Sequence, residues 1–62
     1  MDPAGRYRLT LTIDGRPVAN GWWSRLETAE SKFTSWVGTY GSDGARIELV
    51  DTTTGQTVRS WP

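Results

Sequence analysis

The sequence has no cysteine and no histidine, and only one lysine and one methionine. Without cysteine no disulfide can staple the fold, and without either residue the usual thiolate and imidazole ligands of zinc are missing. The same absence narrows catalysis. A nucleophile would have to be Ser, Thr or a carboxylate, activated by Lys32 or by a second carboxylate. No apolar run approaches the roughly 20 residues that span a bilayer. Met1-Asp2-Pro3-Ala4-Gly5 has neither the basic nor the apolar region of a secretory leader. The expectation is a cytoplasmic protein with no membrane partner. Net charge is absent as well, with seven basic and seven acidic residues, which argues against a generic polyanion binder. Arginine outnumbers lysine six to one, a usage that GC-rich genomes produce and that points to a bacterial or phage source.

What remains is 62 residues, enough for one core. Residues 1–5 read as a flexible N-terminus and 6–62 as a single domain. Residues 6–13 alternate throughout, with Tyr7, Leu9, Leu11 and Ile13 on one face and Arg6, Arg8, Thr10 and Thr12 on the other, the pattern of a half-buried strand. Asp14-Gly15 tolerates the positive φ angles of a two-residue type I′ hairpin. That turn sets Ile13 opposite Arg16, Thr12 opposite Pro17, Leu11 opposite Val18, Leu9 opposite Asn20 and Tyr7 opposite Trp22. Trp22 then joins the apolar face and Trp23 the other. Pro17, lacking an N–H, marks the second strand as an edge.

Ser24-Arg25-Leu26-Glu27 has capping-box spacing and predicts a helix from Arg25. Leu26, Ala29, Phe33, Trp36, Val37 and Tyr40 fall on one helical stripe, and Gly38 and Gly41 offer stops. Residues 45–51 alternate again, with Ala45, Ile47 and Leu49 opposed to Arg46, Glu48 and Val50. A turn through Asp51-Thr-Thr-Thr-Gly55 pairs Asp51 with Gln56, Leu49 with Val58, Glu48 with Arg59 and Arg46 with Trp61. The fold class is therefore α+β, ββαββ, with a four-stranded antiparallel sheet of order 2-1-3-4 and one helix packed on one face.

No catalytic residue, metal ligand or cofactor site is expected. Ser24 is assigned to capping, Asp14 and Asp51 to turns, and Glu27 and Glu30 to a solvated first helical turn. No phosphate-loop or calcium-loop spacing surrounds Asp43-Gly44. The four tryptophans divide by face in this register: Trp22 and Trp36 to the core, Trp23 and Trp61 to the helix-free face. Arg6, Arg8, Arg46 and Arg59 join them there, against Glu48 alone. Arg6, Arg8, Trp23, Arg46, Arg59 and Trp61 form the candidate binding surface, since exposed Trp with Arg marks protein interfaces and also base-stacking platforms. The bland alternative is an exposed sheet of mutually satisfied pairs, with Glu48 on Arg59, Arg46 on Trp61 and Arg6 on Trp23. A protein partner or homodimer is the first reading, nucleic acid the second, and no small-molecule cofactor enters either.

Overall fold

Tyr7–Ile13 (β1) and Ala45–Asp51 (β3) lie side by side at the centre of the sheet, and their strict alternation puts Leu9, Leu11, Ile47 and Leu49 on one face, fully buried. The computed structural model describes residues 5–62; the expectation of a flexible N-terminus lies, for residues 1–4, outside the described residues. Arg16–Trp23 (β2) and Gln56–Trp61 (β4) are the edges, and Leu26–Tyr40 (α1) crosses the Leu face. The sheet is antiparallel throughout with order β2-β1-β3-β4, so the ββαββ architecture is as the sequence predicts. No helix among the described residues is long and apolar enough to cross a membrane.

The turns follow their sequence signals. Asp14 and Gly15 both have positive φ, as a type I′ turn requires. The Gly44 carbonyl (φ +86°) accepts from the Asp14 N–H at 2.9 Å, tying the α1–β3 loop to the first hairpin; a Cβ there would strike the Asp14 carboxylate. Asp51 accepts from the Thr53 N–H at 3.0 Å and Gly55 returns a bond to the Asp51 carbonyl, which closes the four-residue loop before Gln56.

The outer strands depart from the register read from their turns. In β2, Ile13 faces Arg16 and Thr12 faces Pro17, but Leu11 then faces Ala19, with Val18 as an extra residue. Beyond this bulge the pairs are Leu9 with Gly21 and Tyr7 with Trp23, so Trp23 points to the helix and Trp22 away from it. The uninterrupted register would have pushed Asn20 into the Leu face, where an amide needs partners that leucines cannot supply. The bulged one turns Ala19, Gly21 and Trp23 inward, and Gly21 is a flat seat for the Trp23 ring, which would collide with any Cβ at that position. In β4 the extra residue is Val58: Leu49 faces Arg59, Glu48 faces Ser60 and Ile47 faces Trp61. Both Val58 and Trp61 thereby pack against the core, which strict alternation forbids for residues three apart.

The helix starts one residue later than the capping-box spacing implies. Its first bond runs from the Ala29 N–H to the Arg25 carbonyl at 3.0 Å, so Arg25 holds the cap position, no side chain caps the end, and Ser24 lies outside. Only Ala29 of the helical stripe is buried. Phe33, Trp36 and Val37 pack partly against the core, while Leu26 and Tyr40 remain exposed.

The register has a direct consequence for stability. Trp23→Ala should destabilise the protein by more than about 2 kcal/mol, as truncation of a packed core aromatic does, whereas Trp22→Ala should cost under about 1 kcal/mol because much of that ring is already in water. Urea denaturation of the two variants measures both values, and the uninterrupted register requires the opposite order.

Candidate functional site

Three cross-strand rows make up the helix-free face. Trp22, Arg8, Val50 and Thr57 form the first, Asn20, Thr10, Glu48 and Ser60 the second, and Pro17, Thr12 and Arg46 the third. Of the six residues assigned to this surface from the sequence, the structure brings only Arg8 and Arg46 together on it. Trp23 and Trp61 are on the helix side because each lies beyond a bulge. Trp23 meets Trp36 edge-on at 6.3 Å and Trp36 meets Tyr40 at 6.0 Å, an aromatic chain along the β2 flank of the helix. Arg59 also crosses to the helix side, where its Nε donates to Glu30 Oε2 at 3.0 Å. It does not pair with Glu48, whose partner is Arg46 at 3.2 Å.

Arg6 is occupied at the end of the sheet. Its Nε and Nη2 donate to the two oxygens of Asp51 at 3.2 and 3.0 Å, while the Arg6 carbonyl accepts from the Thr52 N–H at 2.8 Å and from the Thr52 hydroxyl at 2.6 Å. The Arg6 guanidinium holds the Asp51 carboxyl below its ordinary value of 3.8; burial pushes the other way, and the Thr53 and Thr54 amides add to the lowering. Asp51 is thus more than a turn residue. It joins the start of β1 to the β3–β4 loop.

Trp22 is the residue that the turn-derived register misses. It is 52% exposed, the most solvent-accessible tryptophan, and stands over Gly5, whose missing Cβ leaves room for it. The Arg8 guanidinium lies 5.7 Å from the Trp22 ring centroid and donates to Asn20 Oδ1 at 3.3 Å. Stacking on a tryptophan face fixes both side chains while leaving the indole edge open to a ligand. Formal charge on this face is small: Arg8 and Arg46 against Glu48.

A wide cleft of about 580 Å³ lies between the helix and β4, lined by Glu27, Glu30, Ser31, Phe33, Thr34 and Arg59. The Glu30–Arg59 ion pair spans it. Among the described residues no group of three or more acidic side chains is disposed to hold a metal ion.

No protein-family model, curated protein or solved structure matches the chain.

The Arg6–Asp51 pair makes stability depend on pH in a defined direction. The folded carboxyl titrates below the unfolded one, so its contribution is whole above the ordinary value of 3.8 and is lost as pH falls through the lower, native value. Thermal melts from pH 7 down to pH 2 should show wild type more stable than Asp51→Asn at neutral pH. The difference should close on acidification.

Proposed function

We propose that the chain is a non-catalytic protein-binding module whose docking surface is the helix-free face of the sheet, centred on Trp22 and Arg8. The observation that carries this reading is the half-exposed Trp22 ring held by the Arg8 guanidinium on the helix-free face. Trp and Arg are the side chains that most often dominate binding energy at protein interfaces, and a ring pre-positioned by stacking loses little entropy on docking. The neighbours Thr10, Thr12, Thr57 and Ser60 add a flat rim with hydroxyls for hydrogen bonds. A non-catalytic role accords with the chemistry: Glu30, Glu48 and Asp51 are each engaged by an arginine. A cytoplasmic setting and a bacterial or phage source belong to the same proposal.

The nucleic-acid alternative loses its main support. It drew on four arginines and two tryptophans on one face, whereas Arg6 is bound to Asp51, Arg59 to Glu30, and the face keeps a net excess of one positive charge. Backbone neutralisation of a polyanion needs several uncommitted cations.

A photoreactive aromatic residue in place of Trp22 tests the reading. Irradiated in the source cells, it should yield one discrete protein adduct, and the same group in place of Lys32 on the outer side of the helix should yield none. Adducts from position 32 alone, or binding to short DNA or RNA that falls steeply between low and moderate salt, would sink it.

A further inference from the structure

In the rows of the helix-free face, residues exchanged by reversing the strand order, β1 with β3 and β2 with β4, differ in size. The first runs Trp22, Arg8, Val50, Thr57 from the β2 edge to the β4 edge, and the second Asn20, Thr10, Glu48, Ser60. In the third, Thr12 and Arg46 reverse the order, small on β1 and large on β3. A surface of this kind is complementary to its own reversal. We propose that the occupant of the face is a second copy of this chain, docked sheet to sheet about a two-fold axis running along the strands between β1 and β3. This inference rests on the face being the docking surface.

A two-fold axis in that direction keeps position along the strand and exchanges β1 with β3 and β2 with β4. Each row therefore lies over its own reverse. Trp22 stands over Thr57 of the second copy, Arg8 over Val50, Asn20 over Ser60 and Arg46 over Thr12, so each of these contacts sets a larger side chain against a smaller one. Sheets packed face to face lie roughly 10 Å apart, a gap that large-on-small pairs fill evenly and that matched large pairs would hold open. A parallel arrangement about this axis also satisfies the isologous rule that the same patch serves both partners.

Charge agrees with size. Among the described residues Arg8 has no carboxylate partner, only Asn20 and the Trp22 ring. In the dimer, Glu48 of the second copy lies one row along, at a Cα separation of roughly 12 Å from the sheet and residue spacings, within reach of an extended Arg and Glu together. Each Glu48 is then shared between Arg46 of its own sheet, at 3.2 Å, and Arg8 of the second copy, so two acids tie together four arginines about the axis. The face, four strands wide and about seven residues long, buries on the order of 1,000 Å² summed over both copies, at the lower edge of specific interfaces. The association should accordingly be weak and reversible.

Charge reversal gives the test. Sedimentation equilibrium of the wild-type chain from roughly 10 μM to 1 mM, the range suited to an interface of this size, should show monomer passing to dimer. Arg8→Glu leaves four acids against two Arg46 side chains about the axis and Glu48→Arg leaves six arginines with no acid, so each alone should associate at least about tenfold more weakly. An equimolar mixture of the two variants should recover dimerisation, because only the heterodimer sets position 8 of each sheet near an opposite charge at position 48 of the other. Circular dichroism confirms that both variants fold, and the mixture supplies the answer even if one is less stable. A chain that stays monomeric to 1 mM, or a mixture no more dimeric than its components, overturns the two-fold assembly. The crosslink at position 22 separates that failure from failure of the docking face: an adduct with a different protein keeps the face and removes the second copy, and no adduct removes both.

Discussion

A helix is roughly 10 Å across with its side chains, and four strands at roughly 4.8 Å spacing are wider than that. One helix therefore leaves a strip of the Leu face uncovered along each edge, and in a chain without cysteine those strips must be closed by side chains. Trp23 closes the β2 flank, seated on Gly21 and braced edge-on by Trp36. Trp61 closes the β4 flank, reaching to 3.3 Å of the Cβ position at Gly41, where the helix ends. Both tryptophans belong to edge strands, and both point inward only because each edge strand carries one residue more than the inner strand it pairs with. The bulges also twist the edges and interrupt the ladder, which makes the free strands poorer templates for unwanted pairing.

Much else follows from this closure. Because β4 slips by one residue, Arg59 reaches the helix and pairs with Glu30, giving the thinly packed helix an electrostatic tie on the side where Phe33 and Val37 are only partly covered. Because β2 slips, Trp22 is placed outside and meets Arg8. The centre of the sheet is indifferent to both events, since β1 and β3 pair without interruption and supply four fully buried leucine and isoleucine side chains. Asp51 seals the far end of that pair through Arg6, and Gly44 seals the near end through Asp14.

The architecture was legible wherever a local signal had a single physical meaning. The alternation of residues 6–13 and 45–51, the Asp14-Gly15 turn, the closing of the second loop at Gln56 and the strand order all stand as read. The candidate site was not legible, because the edge strands lack alternation of their own and their register was carried outward from a turn. Arg-Pro-Val-Ala-Asn-Gly-Trp-Trp presents adjacent tryptophans, of which one must face each way, and a bulge two residues past the turn reverses which. Two cues were present. Asn20 and Gly21 rank in the wrong order for burial in the unbulged strand, and Val58 and Trp61 are three apart, an odd spacing that only a bulge brings to one face. The capping box failed for a related reason: Ser24 and Glu27 have the right spacing, but the chain leaves β2 with Trp23 turned inward and begins its helical bonds one residue later.

The bulges that serve the core also shape the opposite face. Moving Trp61 inward leaves Ser60 and Thr57 as the outward residues of β4, and moving Trp23 inward leaves Trp22 and Asn20 as those of β2. One edge of the open face is therefore low and the other high, a gradient that neither strand would have in an uninterrupted ladder. The same shifts strip the face of charge, since Arg59 departs with the slip and Arg46 is left beside Glu48. The face is left with steep relief and little net charge. The requirement to close a small core without cysteine thus determines the relief of the helix-free face, and the two outer strands transmit that requirement from one side of the sheet to the other.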